Sequence, residues 1–309
     1  MPDLPYMFRI SVWLTILGAL PTGISLLLLW AIAKNPASRL IRHNFLGRTV
    51  PVIGGLALLA GLGVLMLLEF PLIVSQHYSY ETAQYYAFAI AVVGFGLLGL
   101  IDDLCGDRGH GGYRGHVRAL FVEKRITTGL VKLVGGGLVS LSTAYCLSHW
   151  NLPLRAAIWP EPPRATVSDS IVNVLLNGLF IALSANSFNL IDLRPGRCIS
   201  LAAFGSLVLV VRGWNPFADL TPLTCGMLGC IGVVLVPDRL GKVMLGDAGS
   251  NALGAVLAVC AICLMSRWEV AIGVVLLAGF QVWCEKHSLS AFIESTPLLR
   301  SIDRKIGIR

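Results

Sequence analysis

Two adjacent carboxylates, Asp102 and Asp103, end a long apolar segment in the stretch FGLLGLIDDLCGD at residues 95–107. Like charges at the C-terminal end of a helix are disfavoured, because the helix dipole already places negative charge there and because the charges repel each other. A cation offsets both effects, and clustered Asp residues without His or Cys suit a hard ion such as Mg²⁺. The pair therefore predicts a metal or cationic partner, rather than the helix cap or interface salt bridge that would explain Asp107 alone.

Two further segments carry oxygen ligands of the same kind. They are NSFNLIDLRPGR at residues 186–197 and MLGDAGS at residues 244–250. Mg²⁺ binds one or two carboxylates of a protein together with phosphate oxygens of a substrate. We therefore expect a Mg²⁺ site, with Mn²⁺ as an alternative, in which Asp102, Asp103 and Asp247 are the metal ligands. The other oxygen donors of these segments are predicted to contact the substrates, and they are Asn186, Asn189 and Asp192.

Small residues surround Asp247 just before a predicted helix. They are Gly246, Gly249 and Ser250. Backbone N–H groups at a helix N-terminus bind phosphate groups well, and small residues let a phosphate approach them. The segment therefore predicts a substrate-binding phosphate cradle, although Gly before a helix is as often a simple turn.

Basic residues accompany the carboxylates. Lys132 lies about one turn into a predicted membrane helix, in TTGLVKLVGGG at residues 127–137. A charge at that depth requires a carboxylate or phosphate partner unless the side chain reaches the membrane surface. We expect Lys132 to act in catalysis together with Asp102 and Asp103. The remaining predicted substrate contacts are Arg48, Thr49, Arg194 and Arg197.

The composition indicates a membrane protein. The chain of 309 residues is 55% hydrophobic and 13% charged, whereas soluble domains carry about 25% charged residues. A membrane-spanning helix needs about 20 mostly apolar residues. We predict an all-α polytopic fold with about nine or ten membrane helices. The nine segments that can be located are residues 10–33, 51–74, 84–101, 127–149, 169–190, 198–212, 219–237, 249–265 and 269–285.

Positive charge is distributed unevenly along the chain. With the N-terminus outside, all but five of the 24 Lys and Arg residues lie in segments on the inner side of the membrane. Because Lys and Arg are enriched in cytoplasmic loops, we predict that the C-terminus and the acidic segments face the cytoplasm. The net charge of +7 then marks topology and a surface for anionic lipid, and not a nucleic-acid site. The five exceptions are Arg9, Arg155, Arg164, Arg212 and Arg267.

These groups together suggest phosphoryl transfer to a lipid acceptor, because a divalent metal and cations neutralise charge on the transferred and leaving phosphates. A lipid phosphate monoester has a second pKa of about 6. It is therefore largely a dianion at neutral pH, and Asp102 would at most accept a proton from the minor monoanion. One alternative is a transporter, whose charges would lie near the middle of the bilayer.

Four motifs in this order resemble the polyprenyl-phosphate N-acetylhexosamine-1-phosphate transferases, membrane enzymes of the glycosyltransferase family 4 type. They are GLIDDLCGD, TGLVKL, NSFNLIDLRPGR and LGDAGS. The resemblance implies a Mg²⁺-dependent enzyme of the bacterial cytoplasmic membrane, with a cytoplasmic site, that acts in cell-envelope glycan synthesis. It also implies a UDP-N-acetylhexosamine donor, undecaprenyl phosphate as acceptor and release of a nucleoside monophosphate. By position it implies that Asp247 binds the metal, and that Asn189 and Asp192 form the family's NLxD element.

The chain departs from the family's pattern around the base and sugar of the donor. Arg194 and Arg197 follow the NLxD element, where the family usually has Gly. Met244 stands where an aromatic residue often stacks on the base, and His287 is the one His in a region that is His-rich in many members. The added arginines could bind another phosphate or an acidic sugar. These departures leave open the alternative of a non-catalytic homologue that binds polyprenyl phosphate or scaffolds a glycan-synthesis complex.

The chain divides into two parts. Residues 1–285 are predicted to form a transmembrane catalytic domain, and residues 286–309 a basic amphipathic cytoplasmic tail. Such a tail can lie on the inner leaflet, cover the active site or bind a partner. The protein interactions that we expect are a homodimer or a partner protein of glycan synthesis.

Overall fold

The protein is described by a computed structural model that covers residues 4–34, 40–75, 79–106, 127–149, 167–212 and 220–308. All structural statements below refer to these residues, and Asp107 lies outside them. The described residues form eleven helices and two short strands. The helices are α1 (Leu4–Ala33), α2 (Gly54–Ser75), α3 (Ser79–Cys105), α4 (Thr128–His149), α5 (Val167–Ile191), α6 (Arg197–Arg212), α7 (Leu220–Arg239), α8 (Gly246–Leu264), α9 (Arg267–Lys286), α10 (Leu289–Ser295) and α11 (Pro297–Ile306).

Helices α1 to α9 correspond in order to the nine predicted spans, and the all-α polytopic fold is confirmed. Within the described residues, seven of these helices are long and apolar enough to cross a membrane. They are α1, α2, α3, α4, α5, α8 and α9. Helix α6 has 16 residues, so the sixth predicted span is as short as the sequence indicated. The protein is therefore a multi-pass membrane protein, while its predicted orientation stays a prediction.

Helix α8 forms the centre of the bundle. Of the residues in its span, 89% are buried, and α2, α3, α5 and α6 pack around it. Its small residues permit this close approach. A Cβ atom on Gly99 of α3 would lie 2.3 Å from the carbonyl oxygen of Asp247, and one on Gly55 of α2 would lie 2.4 Å from the backbone nitrogen of Gly249. Backbone contact of this kind is how helices associate in lipid.

The outer helices present apolar side chains outward. Val270 is the buried residue of α9, whereas Trp268 and Val275 of the same helix are 78% and 70% exposed. Helix α1 packs on α7 and α2 and likewise exposes Leu27. Backbone polar groups are satisfied inside each helix, so apolar faces of this kind are compatible with lipid.

A small hairpin joins α1 to α2. Strands β1 (Ile41–His43) and β2 (Thr49–Pro51) are antiparallel, and Gly47 takes a positive φ of 72° in the turn between them. The backbone N–H of Met244 donates to Pro51 at 2.9 Å, and that of Gly54 donates to Met244 at 3.0 Å. The hairpin is thereby fixed against the turn that precedes α8.

Candidate active site

Asp103 joins α3 to the first turn of α8. Its Oδ1 accepts a hydrogen bond from the N–H of Asp247 at 3.0 Å, and its Oδ2 accepts one from the N–H of Ala248 at 2.9 Å. A carboxylate is favoured there, because the N-terminal N–H groups of a helix lack partners and carry partial positive charge. Asp103 therefore caps α8 from a neighbouring helix and fixes the position of Asp247.

Lys132 of α4 lies between two carboxylates. Its ammonium group contacts Oδ2 of Asp247 and lies 3.5 Å from Oδ2 of Asp102. The side chains are only partly exposed, at 19% for Lys132, 25% for Asp102 and 28% for Asp247. Three helices thus bring two carboxylates and one ammonium group together at one end of the bundle. We refer to Asp102, Lys132 and Asp247 as the carboxylate cluster.

Asn189 of α5 extends the cluster. When its amide oxygen faces Lys132, that oxygen accepts from Nζ at 3.1 Å and its NH₂ group donates to Oδ1 of Asp247 at 3.0 Å. The orientation follows from the hydrogen-bond network, in which the NH₂ group also lies 3.1 Å from Oγ of Ser250. The Asn189 amide therefore bridges the ammonium group and the carboxylate.

Two carboxylates of the cluster have the chemistry to hold a Mg²⁺ ion. In the described ranges, no three His, Cys, Asp or Glu side chains gather closely enough to hold a metal ion by themselves. The available set is therefore the two partly exposed carboxylates of Asp102 and Asp247, which suits an ion that retains water and binds substrate phosphates. Each oxygen of Asp103 accepts a hydrogen bond from the first turn of α8, so in this arrangement Asp103 positions Asp247.

Asp192 lies beside the same turn. Burial raises the pKa of Asp192 well above its usual range, and the nearby charge of Asp238 raises it further. The backbone N–H of Gly246 forms a hydrogen bond to Asp192 and acts in the opposite direction. Asp192 therefore binds a proton more readily than an ordinary carboxylate and lies at the edge of the cluster.

The residues of the predicted phosphate cradle contact other parts of the protein. Its N–H groups at positions 246 to 248 already bind Asp192 and Asp103. Gly249 packs on Gly55, and Ser250 is fully buried with its hydroxyl 3.1 Å from the Asn189 amide. These small residues let α2 and α5 approach α8, so their contribution to the site is indirect.

Two predicted substrate contacts lie in other polar networks. The NH₂ group of Asn186 donates to Gln281 of α9 at 2.9 Å. Arg197 is 4% exposed and donates to both carboxylate oxygens of Asp303, at 2.7 Å and 3.0 Å. The structure therefore does not bring these side chains to the carboxylate cluster, because partners elsewhere in the chain already bind them.

The remaining predicted contacts are more exposed. Arg48 and Thr49 lie on the exposed part of the hairpin, whereas Arg42 reaches the carbonyl oxygen of Asp103. The guanidinium of Arg194 lies over the ring of Phe45, 4.9 Å from its centroid. No pattern in the sequence marks Arg42, because it is one of several basic residues between α1 and α2. Gln281, by contrast, is a polar residue inside an apolar helix, and this position indicates a buried polar partner such as Asn186.

The chain is similar to known transferases over most of the bundle. The profile described as glycosyl transferase family 4 matches residues 85–265. A phospho-N-acetylmuramoyl-pentapeptide-transferase of Anoxybacillus flavithermus is 26% identical over 224 residues, which cover 71% of this chain and 62% of the relative. The protein of the same name from Halalkalibacterium halodurans is 25% identical over 225 residues, with the same coverage. That of Synechococcus sp. (strain CC9311) is 31% identical over 149 residues, or 46% of this chain and 37% of the relative.

The aligned part of the chain spans less than two thirds of the length of these relatives. The family match nevertheless covers more than half of the chain. It includes α8 and all three residues of the carboxylate cluster, together with Asn189. The chain belongs to glycosyl transferase family 4.

Proposed function

We propose that the protein transfers a sugar-1-phosphate from a nucleotide-diphosphate sugar, a UDP-N-acetylhexosamine, to undecaprenyl phosphate. The carboxylate cluster is the observation that carries this proposal, because two partly exposed carboxylates and one ammonium group lie at one end of a membrane bundle. The relatives named as phospho-N-acetylmuramoyl-pentapeptide-transferases support the same class of reaction.

In this reaction an oxygen of the lipid phosphate forms a bond to the sugar-bearing phosphorus of the donor. The bond from that phosphorus to the bridging oxygen of the diphosphate breaks, and the electron pair leaves with the nucleoside monophosphate. Since the lipid phosphate is largely a dianion above its second pKa of about 6, alignment and charge neutralisation dominate catalysis.

The residues of the cluster have distinct roles in this proposal. Asp102 and Asp247 would hold Mg²⁺, which supplies positive charge to the diphosphate of the donor. The ammonium group of Lys132, which contacts both carboxylates, is placed to neutralise charge on a substrate phosphate. Asp103 holds the first turn of α8, and Asn189 orients Lys132 relative to Asp247.

The site is proposed to face the cytoplasm of a bacterial cell. The distribution of Lys and Arg in the sequence supports this orientation. The cluster lies at the end of the bundle that also carries the C-terminus of α7 and the basic tail, since Asp192 neighbours Asp238 of α7 and Arg197 binds Asp303. A cytoplasmic site would give access to nucleotide sugars.

The experiment is a turnover assay on the purified full chain in lipid nanodiscs. It contains undecaprenyl phosphate, Mg²⁺ and a panel of nucleotide sugars, and it measures nucleoside monophosphate. We expect release with at least one donor, and loss of release both on Mg²⁺ removal and in Asp247→Asn. Glu285→Gln, which neutralises an exposed carboxylate on α9, is the matched control and should retain activity. Absence of release and of monophosphate exchange with every donor would favour a non-catalytic binding protein.

A further inference from the structure

A second site candidate lies between the loop after α5, the end of α7 and the C-terminal tail. These three segments line a cavity of about 910 Å³ that is open to the surface. Its charged lining consists of Arg194, Arg239, Arg304 and Lys305, with Glu294 as the one carboxylate among the lining residues. Pockets of about 300–1,000 Å³ are typical of small-molecule sites. The cavity is therefore large enough for a ligand of nucleotide size.

The tail is held against the loop by buried polar contacts. Asp303 of α11 is 4% exposed and pairs with Arg197, whose Nη1 also donates to the hydroxyl of Ser290 at 2.8 Å. A bidentate, buried pair of this kind has a defined geometry. The position of α11 relative to the start of α6 is therefore fixed, and with it the positions of the two basic residues that follow Asp303.

The end of α7 provides a second attachment for the tail. The guanidinium of Arg239 donates to the carbonyl oxygens of Ile306 at 2.8 Å and Lys305 at 2.6 Å, and the N–H of Ile308 donates to the Arg239 carbonyl at 3.0 Å. Gly196 has φ +84°, and a Cβ there would lie 2.1 Å from the Ile306 oxygen. The loop and the tail are thus fitted to each other at backbone distance.

The charge of the cavity is opposite to that of the carboxylate cluster. Four basic side chains face one carboxylate, and the Arg304–Glu294 pair at 3.1 Å is more than half exposed on both sides. Exposed ion pairs of this kind are weak, so an anion can replace the Glu294 contact. Arg194 is oriented by its contact with Phe45. Arginine and lysine in this arrangement favour phosphate oxygens.

We propose that this cavity binds a phosphate-bearing anion and that the C-terminal tail completes the site. The site differs from the carboxylate cluster, which needs a cation before it can attract a phosphate, whereas the cavity is basic without one. The two sites border each other through the loop that carries both Asp192 and Arg194. The phosphate could belong to a soluble molecule or to a lipid headgroup.

The test titrates inorganic pyrophosphate into the full chain in nanodiscs of zwitterionic lipid with EDTA present. EDTA removes the Mg²⁺ on which the proposed turnover depends. A failure of pyrophosphate to bind the cavity can therefore be distinguished from a failure of the proposed function. We expect saturable binding that weakens about tenfold in Arg194→Gln and in Lys305→Gln, as for loss of one hydrogen bond to a charged group. Lys286→Gln removes the same charge from an exposed residue outside the cavity and should bind like the unchanged chain.

The folded state of each variant is checked by its thermal midpoint. Arg239 binds the backbone carbonyl of Lys305 and not its side chain, so Lys305→Gln retains the contacts that hold the tail. Absence of saturable binding, or an equal loss in Lys286→Gln, would overturn the proposal. A parallel titration in nanodiscs with phosphatidylglycerol identifies the source. If pyrophosphate binds more weakly in these nanodiscs, and Arg194→Gln does not show this weakening, the natural ligand is a lipid headgroup. If binding is unchanged, the natural ligand is a soluble phosphate.

Discussion

Asp103→Asn separates a positioning residue from a metal ligand. The two oxygens of Asp103 accept hydrogen bonds from the N–H groups of Asp247 and Ala248, at 3.0 Å and 2.9 Å. An Asn side chain of the same size has one oxygen and one NH₂ group. One N–H group of α8 therefore loses its acceptor and faces a donor instead. The change also removes a negative charge from the positive end of the helix.

The size of the effect follows from these contacts. A hydrogen bond to a charged group contributes about 1.5–3 kcal/mol, and a charge at a helix end about 0.3–1 kcal/mol. Because Asp103 is partly exposed to solvent, we expect a value near the lower limits, about 2 kcal/mol. A destabilisation of about 2 kcal/mol corresponds to an approximately 30-fold increase in opening of the first turn of α8. Misplacement of Asp247 should then lower kcat, since catalysis is sensitive to shifts of about 1 Å.

Hydrogen exchange and a Mg²⁺ titration of turnover measure the two effects separately. Asp103→Asn is expected to speed amide exchange at the start of α8 and to lower kcat, with little change in the Mg²⁺ concentration for half-maximal rate. Asp102→Asn is the matched comparison, and it should shift the Mg²⁺ dependence without faster exchange. The reasoning is refuted if Asp103→Asn leaves exchange unchanged but raises the Mg²⁺ requirement about tenfold, because Asp103 would then be a ligand.

Three further predictions address the ammonium group, the tail and the packing. Lys132→Met should lower turnover by about 100-fold or more and tighten Mg²⁺ binding, because the ammonium group no longer competes for the carboxylates; unchanged values of both would exclude Lys132 from the site. Asp303→Asn leaves the buried charge of Arg197 without its carboxylate, at a cost of about 3–5 kcal/mol, and should speed trypsin cleavage of the tail. The double change Arg197→Met with Asp303→Leu should restore resistance, and equal sensitivity of both variants would contradict a buried pair. Gly99→Ala should lower the free energy of unfolding by about 1–3 kcal/mol and with it the thermal midpoint, because a Cβ there meets the α8 backbone at 2.3 Å. Gly137→Ala is the control and should leave the midpoint unchanged, because a Cβ there has nothing within 4 Å.

The helical fold could be predicted from the sequence because lipid imposes a simple rule on length and hydropathy. The nine apolar segments correspond to α1 to α9, and even the shortness of α6 was visible at residues 198–212. Composition could not show that α8 lies at the centre. That position depends on backbone approach at Gly55 and Gly99, and Gly is frequent in many membrane helices for other reasons.

The candidate site was predictable at the level of residue types. Electrostatics indicated that adjacent carboxylates at a helix end need a partner, and the structure places Lys132 and Asp247 beside Asp102. The electrostatic argument could not distinguish Asp102 from Asp103. Successive residues of a helix point in different directions, and the sequence does not show which neighbour each one faces. Asp102 turns toward Lys132 and Asp103 toward the N–H groups of α8.

The tail contacts lay beyond sequence reasoning for a different reason. Arg197 and Asp303 are separated by 106 positions, and nothing in either local sequence indicates which charge binds which. The position of Arg197 next to a predicted donor-binding motif therefore favours a substrate contact. Burial of Arg197 between Asp303 and Ser290 shows that it binds the tail instead.

The central claim is that the carboxylate cluster performs Mg²⁺-dependent phosphoryl transfer to a lipid phosphate. Its most direct test is nucleoside monophosphate release by the full chain and by Asp247→Asn, each with undecaprenyl phosphate and with or without Mg²⁺. We predict release by the unchanged chain only when Mg²⁺ and the lipid are both present, and none by a folded Asp247→Asn protein. Full release by Asp247→Asn, or release that does not depend on Mg²⁺, would contradict the account.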